Sequence, residues 1–372
     1  MTTPPQPPNE PRLGRTLRED IGRRDLWQNV RRDFRELREF YLDEEKKAML
    51  KGMHPVRRFL YTTGWLLKSM FLRLTPARRL LLLLGLILVV LGPGLRYTSG
   101  HGEGVSVQVN NLHLVGGFLL LFVLMLELKD KLLARDELEA GRRVQRALMP
   151  ERQPDVPGYS IWLFTRPANE VGGDLVDFLQ LSNDRIGLMM GDVAGKGLQA
   201  ALLTAKLQAT LRALAPDYTS PGELARKINA IFHRDSLPNI FASLLYFDVI
   251  PSTGTMRLVN AGHPPPLLVS ATGTKELSKG EPALGLLADY SYAEHEFTLS
   301  TNELLFAYSD GLTESRAESG EFLGLDRIIA YLQSHQGEPA EALGASLLRQ
   351  IDAFLGQSGM TDDLSLLIAK RI

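Results

Sequence analysis

Aspartates recur in this sequence where apolar, strand-like runs meet glycine-rich or polar turns. Asp174 lies in EVGGDLVDF, Asp192 lies in LMMGDVAGKG, and Asp310 ends the run LLFAYSD. Asp362 and Asp363 open the last apolar segment, TDDLSLLIAKR. A carboxylate in such a position can project into a cleft while its strand stays buried. Any one of these aspartates taken singly is more often a turn or capping residue, so the chemistry depends on their meeting in one place.

Several carboxylates that converge in one cleft repel one another strongly unless a cation neutralises them. Mg²⁺ and Mn²⁺ are hard divalent ions that take oxygen ligands of this kind. Gly172, Gly173 and Gly191, beside the aspartates, allow the backbone to approach a metal or a phosphate closely. Two such ions can hold a bridging hydroxide and clamp a phosphoryl oxygen. The pattern therefore indicates a two-metal site for chemistry on phosphorus.

Other interpretations of these segments are weaker. The Gly-Lys pair in GDVAGKG hints at a phosphate loop, but Gly197 follows Lys196 where Ser or Thr is required, and the spacing is not GxxxxGK[ST]. Asp192 lies early to cap the helix that begins near Gly197. His263, in NAGHPPP, is a candidate for chemistry, but a structural role in a proline-rich turn is favoured.

The composition excludes several classes of function. The 372 residues contain 42 Lys and Arg against 43 Asp and Glu, and this balance argues against bulk electrostatic binding of nucleic acid. The chain has no cysteine. Disulfides, zinc–thiolate sites, iron–sulfur clusters and thiol nucleophiles are therefore excluded.

The segment 158–372 must position these aspartates. Its short apolar runs have the length and composition of β-strands, and turns such as LSNDR and PSTGT predict antiparallel hairpins. Strands that neighbour one another in sequence, with helices interspersed, predict an α+β sandwich instead of a doubly wound sheet. The predicted helices cover residues 197–215, 222–235, 326–334 and 339–356.

The N-terminal part of the chain has a different composition. Residues 1–12 are proline-rich with few large apolar groups, which predicts a disordered tail. Residues 13–74 are expected to form a helical region on the cytoplasmic side. Its part 56–74 suits an interfacial helix with Tyr61 and Trp65 at headgroup level, and it suits equally well a cytosolic helix packed on its neighbours.

Two uncharged apolar runs follow, over residues 80–95 and 112–126. The first is marginal alone for a bilayer-spanning helix, but together the runs predict a transmembrane hairpin over 78–128. Arg and Lys flank the hairpin, whereas the loop 98–111 has neither, so both ends are expected in the cytoplasm of a multi-pass protein of the inner or plasma membrane. A pair of fully buried helices in a soluble domain is the alternative.

A charged helical linker over 129–157 is expected to connect the hairpin to the sandwich. Its apolar positions are Leu132, Leu138, Val144 and Leu148. Their spacing is too irregular for a strict heptad repeat, and homodimerisation through 127–149 is a hypothesis. The segment PERQPDVPG, residues 150–158, ends the helix and marks the clearest domain boundary.

Five motifs of the second half occur together, in an order and at intervals that match one family. The motifs are EVGGDLVDF, MGDVAGKGLQAAL, NAGHPPPLLV, LFAYSDGLTESR and TDDLSLLIA. They resemble the bacterial SpoIIE/RsbU-type branch of the PPM metal-dependent Ser/Thr protein phosphatases. The resemblance covers residues 136–372, including the segment before the domain, RRVQRALMPERQPDVPGYSI. It implies a PPM-type β-sandwich flanked by helices over 158–372.

The resemblance also implies a ligand set for two Mn²⁺ or Mg²⁺ ions. Asp174 matches the first metal aspartate of the family, and Asp192 matches the aspartate that bridges both ions. The backbone carbonyl of Val193 matches the oxygen beside it. Asp310 and Asp362 match the remaining acidic ligands.

Two features depart from the usual pattern of the family. Leu175 and Val176 replace aromatic residues that usually follow the first metal aspartate, and this change affects packing. Asp363 stands where many relatives have Asn, so it is expected behind the ligands. No ligand is lost, and an active enzyme is therefore expected.

The resemblance implies a membrane-anchored phosphatase that hydrolyses phosphoserine or phosphothreonine on a regulatory protein of the STAS-type anti-anti-sigma class. A water activated by two cations at Asp174 and Asp192 attacks phosphorus directly, without a protein nucleophile. The alternative is a catalytically silent scaffold that uses the phosphatase fold to bind partners, and the retained aspartates argue against it. A metal-dependent nucleotidyl enzyme would need a nucleotide-recognition loop, which the sequence does not show.

Overall fold

The structure is a computed structural model. It describes residues 46, 49–50, 52–91, 96–98, 106–108, 112–150, 152–235, 240–356 and 358–372. The chain divides into two compact units, residues 1–131 and 132–372. The predicted tail 1–12, most of the 13–51 part of the predicted helical region and most of the loop 98–111 lie outside the described residues.

The first unit contains a helical hairpin. Its elements are α1 (Pro55–Arg73), α2 (Pro76–Leu91), a two-stranded ribbon of β1 (Arg96–Thr98) and β2 (Ser106–Gln108), and the first part of α3 (Leu112–Leu148). A Cβ atom on Gly116 of α3 would lie 2.8 Å from the carbonyl oxygen of Gly85 of α2, so the two helices touch where neither has a side chain. Arg78, at the start of α2, pairs with Glu127 at 2.6 Å and Asp130 at 2.7 Å on α3.

The lengths of these helices bear on the predicted membrane hairpin. Among the helices that the structure describes, α3 is the one long and apolar enough to cross a bilayer. α2 is described over 16 residues, and residues 92–95 of its apolar run lie outside the described part of the chain. The finding is therefore a helical hairpin with one candidate span, and the expected pair of spans is not established.

The second unit is a sandwich of two antiparallel sheets, as the sequence predicted. Sheet 1 has the strand order β10-β7-β6-β5-β4, and sheet 2 has the order β3-β12-β11-β8-β9. The strands are β3 (Tyr159–Arg166), β4 (Asp174–Ser182), β5 (Arg185–Val193), β6 (Ala242–Ile250), β7 (Thr255–Ala261), β8 (Leu267–Ser270), β9 (Gly273–Glu276), β10 (His295–Thr298), β11 (Leu304–Tyr308) and β12 (Leu364–Arg371).

The alternation of side chains along the strands divides the core into layers. Val176 of β4 and Met190 of β5 lie between the sheets, against Leu367 of sheet 2. Their neighbours Leu175 and Met189 face the other way, toward the helices that cover sheet 1. A residue's place in this alternation therefore decides whether it points into the sandwich or out of it.

Helices cover both outer faces of the sandwich. α4 (Leu198–Leu214) and α5 (Pro221–Asp235) cover sheet 1, and α7 (Leu325–Ser334) and α8 (Ala340–Leu355) cover sheet 2. A single turn, α6 (Asp310–Thr313), follows β11. The predicted ends of the four long helices agree with these bounds to within one residue. The predicted linker helix is the last part of α3, and residues 150–158 lead from it into β3.

Candidate metal centre

Asp174 and Asp192 lie directly opposite each other on β4 and β5, at one end of sheet 1. Opposed residues of an antiparallel pair project to the same face, with Cβ atoms roughly 5 Å apart. The alternation places both on the face that carries Val176 and Met190 between the sheets. The two carboxylates therefore occupy one end of the inter-sheet layer.

Polar residues of sheet 2 lie in the same layer. The Ser309 hydroxyl donates a hydrogen bond to the Asp363 carbonyl at 3.0 Å and accepts one from the Ser365 amide at 2.9 Å. The Ser365 hydroxyl bonds to that of Thr165 at 2.9 Å. Ser309 and Ser365 are both fully buried. The layer between the sheets thus changes from apolar to polar at the end where the aspartates lie.

Burial and mutual repulsion disfavour the ionised form of these aspartates. Asp174 is 3% exposed, and its Oδ2 atom has no hydrogen-bond partner among the described residues. Burial, and then the charge of Asp192, raises the pKa of Asp174 well above its usual value. Burial, and then the charges of Asp310 and Asp362, raises the pKa of Asp192 to about 7. Burial and the charge of Asp362 also raise the pKa of Asp310.

Asp310 and Asp362 come from sheet 2. Asp310 begins α6, and a Cβ atom on the next residue, Gly311, would clash with the carbonyl oxygen of Asp363. Glycine is therefore required for α6 to lie against the start of β12. The Oδ2 atom of Asp362 lies 3.4 Å from Nζ of Lys196, in a pair that is partly open to solvent. This lysine is a weak counter-charge for a group of four carboxylates.

Val193 ends β5 beside Asp192, and its carbonyl oxygen also faces the site. A Cβ atom on Gly173 would lie 3.0 Å from both the Val193 carbonyl oxygen and Oδ1 of Asp192. The Val193 amide donates to the Gly173 carbonyl at 3.2 Å. Two of the predicted oxygen donors therefore lie next to a residue without a side chain.

Asp363 holds the segment that leads into Asp174. Its Oδ1 atom accepts a hydrogen bond from the Ala168 amide at 2.8 Å, and its Oδ2 atom accepts one from the Gly173 amide at 2.6 Å. Both carboxylate oxygens are thus engaged by backbone. This placement is behind the predicted ligands, where Asp363 was expected.

Two further side chains fix the same segment. Thr204 of α4 donates to the Gly173 carbonyl at 2.6 Å. Gln145 of α3 bonds to both the carbonyl and the amide of Gly172, at 2.7 and 3.2 Å. The backbone before Asp174 is therefore held from α3, from α4 and from the start of β12.

The chemical type of these oxygen donors suits a hard divalent cation. The donor set consists of carboxylates and one backbone carbonyl, it includes the unpartnered buried Oδ2 of Asp174, and its carboxylates raise one another's pKa. Oxygen donors of this kind suit Mg²⁺ and Mn²⁺, and a bound cation reverses the sign of the local potential. Within the described part of the chain, no three acidic or histidine side chains form a ready ligand cluster. The fit therefore rests on donor type and electrostatics.

Two other polar residues of interest have structural partners. Asp177 faces α4. Arg212 donates to both of its carboxylate oxygens, at 2.7 and 2.6 Å, and Gln208 donates to the carboxylate at 2.7 Å. His263 is buried, with Nδ1 2.7 Å from the Ser243 hydroxyl, and burial lowers its pKa to about 4. A neutral imidazole in such a place suits the structural role favoured from the sequence.

Sequence reasoning missed the residues that support the site from neighbouring elements. They are Gln145, Thr165, Thr204 and Ser365. The alternation along β12 could have indicated Ser365, because it lies two residues after Asp363 on the same face. Composition and periodicity do not distinguish Gln145 from other polar residues of a charged helix. The family resemblance of the segment RRVQRALMPERQPDVPGYSI, which contains it, was the one signal present.

A family model decides where this chain belongs. The model described as Stage II sporulation protein E (SpoIIE) matches residues 182–372, which is half of the chain. The chain belongs to the SpoIIE family. The matched segment contains Asp192, Val193, Asp310 and Asp362, and Asp174 lies just before it. SpoIIE-family membership places the chain among the PP2C/PPM Ser/Thr phosphatases.

Individual relatives agree with the SpoIIE-family match. The chain is 26% identical over 276 residues to Protein IcfG of Synechocystis, a match that covers 66% of this chain and 43% of IcfG. It is 23% identical over 239 residues to the phosphoserine phosphatase RsbU of Bacillus subtilis, a match that covers 64% of this chain and 70% of RsbU. The chain therefore spans less than half of the length of IcfG.

A solved structure identifies the fold. The SiaA-PP2C domain of Pseudomonas aeruginosa superposes with a TM-score of 0.58 at 19% identity, over 66% of this chain and 98% of that domain. The SpoIIE-family unit of the chain thus has the PP2C-type α+β fold, with two antiparallel sheets and flanking helices.

Proposed function

We propose that this chain is a metal-dependent phosphatase that hydrolyses phosphoserine or phosphothreonine on a regulatory protein. Asp174, Asp192, Asp310, Asp362 and the backbone carbonyl of Val193 would hold two Mn²⁺ or Mg²⁺ ions. The observation that carries the proposal is the opposed pair of the buried Asp174 and the partly buried Asp192. Both have raised pKa values, and Asp174 has a carboxylate oxygen without a partner among the described residues.

Each part of the site has a separate task in this mechanism. Such ions, when bound, lower the pKa of water and stabilise charge on phosphoryl oxygens. The apolar layer behind Asp174 and Asp192 excludes bulk water from one side of the carboxylates and fixes the directions in which they point. The chain contains no cysteine, and the mechanism requires no protein nucleophile. The absence of a side chain at Gly173 lets its backbone lie close to Asp192 and to the Val193 carbonyl.

The proposed substrate is a phosphorylated regulatory protein of the STAS-type anti-anti-sigma class. Support comes from the family match and from the relative RsbU, which is named a phosphoserine phosphatase.

Attachment to the inner or plasma membrane through 78–128 is a further part of the proposal. α3 supports it by its length and composition, and the outward-facing leucines of α2, such as Leu80 and Leu91, support it by their exposure. Arg and Lys residues flank the hairpin, which favours a cytoplasmic phosphatase unit. Leu132 and Val144 are exposed on α3 and are available for a homodimer through 127–149.

Turnover by the full chain in mild detergent tests the enzymatic part of the proposal. We expect release of phosphate from a phosphoserine peptide with Mn²⁺ or Mg²⁺, and none after chelation of the metal. Asp192→Ala should remove this activity while the protein stays folded. A folded wild-type chain that releases no phosphate with either metal would favour a silent scaffold.

Extraction of membranes tests the anchoring separately. We expect the full chain to stay in the membrane fraction after washes with high salt and with carbonate, and to dissolve in detergent. Release by carbonate would show that the hairpin does not cross the bilayer.

A further inference from the structure

The carboxamide of Gln145 holds the backbone of Gly172 by two hydrogen bonds. Its Nε2 atom donates to the Gly172 carbonyl at 2.7 Å, and its Oε1 atom accepts from the Gly172 amide at 3.2 Å. Gln145 is 8% exposed, so water has little access to replace these bonds. Gly172 lies before the start of β4, so this side chain satisfies backbone groups that a neighbouring strand would satisfy elsewhere.

The held residue is two positions before Asp174. The next residue, Gly173, is fixed by Asp363 and Thr204, which belong to the body of the sandwich and its covering helix. Gln145 differs because it reaches this segment from the end of α3. Loss of its two bonds would leave two buried polar groups unpaired and free the backbone that sets the direction of Asp174.

The end of α3 is attached to the sandwich at isolated points. Arg142 pairs with Glu170 at 3.2 Å, and Gln208 donates to the Leu148 carbonyl at 2.7 Å. A cavity of about 420 Å³ lies beside Gln145, between this helix end and strands β3 and β4. Attachment by a few specific bonds across a gap allows the helix end to dock and undock as a unit.

We propose that Gln145 is a positioning residue for Asp174, and that the metal centre is complete only while the end of α3 is docked through it. The inference rests on the proposed function and deepens it. It makes residues 141–148 part of the catalytic unit and gives α3 a direct means of changing activity.

The chain contains a matched control for this proposal. Gln153 makes the same two-bond contact with the backbone of Leu163, donating at 3.0 Å and accepting at 2.7 Å. Leu163 lies in the middle of β3, an edge strand of sheet 2, and its side chain belongs to the apolar layer between the sheets. Substitution of either glutamine by leucine removes two backbone bonds. Gln153 is exposed whereas Gln145 is buried, so the comparison of Mn²⁺ affinities, more than that of exchange rates, reports the effect on the site.

The experiment compares Gln145→Leu, Gln153→Leu and the wild-type full chain in detergent. Hydrogen exchange of residues 168–174 is measured without metal, and Mn²⁺ affinity is measured by calorimetry. We expect Gln145→Leu to speed exchange in 168–174 and to weaken Mn²⁺ binding about 10- to 100-fold, the range typical of residues that orient metal ligands. Gln153→Leu should speed exchange only in β3 and leave Mn²⁺ affinity unchanged.

Two results would overturn the proposal. One is wild-type exchange and Mn²⁺ affinity in Gln145→Leu, and the other is equal weakening of Mn²⁺ binding by both substitutions. Gln145→Glu keeps the acceptor for the Gly172 amide and loses the donor, so it should lie between wild type and Gln145→Leu. If Gln145→Leu does not fold, Gln145→Glu tests the proposal in its place. Wild-type hydrogen exchange and wild-type Mn²⁺ affinity in Gln145→Glu would then contradict the proposal. Neither readout needs turnover, so a chain that binds Mn²⁺ without hydrolysing phosphate refutes the proposed function alone.

Discussion

Sheet 1 contains two kinds of buried aspartate, which differ in how their charge is neutralised. Asp177 on β4 and Asp248 on β6 are fully buried, and arginine side chains neutralise both. The pairs are Arg212 with Asp177, and Arg185 and Arg257 with Asp248. At these two positions, which face outward from the layer between the sheets, the chain thus supplies its own counter-charges.

Asp174 and Asp192, on the same sheet, have no arginine. Asp174 is three residues before Asp177 on one strand and is almost as buried, yet its Oδ2 atom has no partner among the described residues. Its neighbour across the strand pair is another carboxylate. A buried charge without a partner is costly, so these carboxylates are neutralised either by a proton, as their raised pKa values indicate, or by a cation from outside the chain. Under the proposed function, the difference separates carboxylates that stabilise the fold from carboxylates that bind a metal ion.

Neutralising Asp192 should have the largest effect on turnover. It should also separate the arginine-paired aspartates from the unpaired ones most clearly. We expect Asp192→Asn to reduce metal-dependent turnover at least about 10³-fold, or about 4 kcal/mol of activation free energy. The same change removes repulsion within the site, so the metal-free protein should melt at a higher temperature than wild type. Kinetics and thermal unfolding of one preparation measure both effects. A lower melting temperature would place Asp192 with the structural aspartates.

Asp248→Asn should have the opposite profile. The change leaves two largely buried arginines without their carboxylate, and breaking such a pair costs about 3–5 kcal/mol. We expect this loss in the free energy of unfolding by denaturant, with turnover per folded molecule unchanged. A loss in the free energy of unfolding below about 1 kcal/mol would contradict the division between the two kinds of aspartate. A fall in turnover with stability intact would contradict it as well.

The contrast between the two kinds of aspartate should also appear in the pH dependence of the stability of the metal-free protein. Asp192 stays protonated up to about pH 7 in the folded protein, whereas an unfolded aspartate ionises near pH 4. The unfolded state therefore binds fewer protons in this window, and stability falls as the pH rises through it, by about 4 kcal/mol. The buried His263 contributes a slope of the opposite sign below its unfolded pKa.

The difference between wild type and Asp192→Asn removes the His263 contribution and reports Asp192 together with its effect on the pKa of Asp174. Denaturation at several pH values between 4 and 8 measures it, and saturating Mn²⁺ should remove it. Parallel stability curves for the two proteins without metal would show that Asp192 is not held protonated by its surroundings.

Removal of Lys196 should have the smallest effect. Its pair with Asp362 is partly exposed, and pairs of this kind contribute less than about 1 kcal/mol. We expect Lys196→Ala to change the free energy of unfolding by less than about 0.5 kcal/mol and to strengthen Mn²⁺ binding slightly, because the lysine competes for Asp362. A large destabilisation would mean that the chain neutralises this end of the sheet by itself.

The sequence was sufficient for the local features of the second unit. Strand alternation, turns and helix periodicity are set by neighbouring residues, and they located α4, α5, α7 and α8 closely. The same patterns could not distinguish Asp174 from Asp177, because Arg212, which pairs with Asp177, comes from a helix far along the chain. That distinction depends on the face of β4 on which each residue lies.

The features that the sequence did not indicate depend on contacts between distant segments. The meeting of Asp174 and Asp192 requires the register of β4 and β5, and the approach of Asp310 requires the packing of one sheet on the other. The resemblance of the motifs to one family indicated that these aspartates meet, whereas the periodicity of the sequence did not. Gln145 was missed because its partner, Gly172, lies in a segment without regular structure.

Calorimetric titration of Mn²⁺ into the metal-free full chain near pH 7 tests the central claim most directly. Two ions should bind per chain, and protons should be released on binding, because Asp174 and Asp192 must ionise to act as ligands. Asp192→Asn should abolish the binding, and Asp248→Asn should retain it. Absence of binding to the wild-type chain, or equal binding by both variants, would contradict the claim that this end of sheet 1 is neutralised by divalent cations.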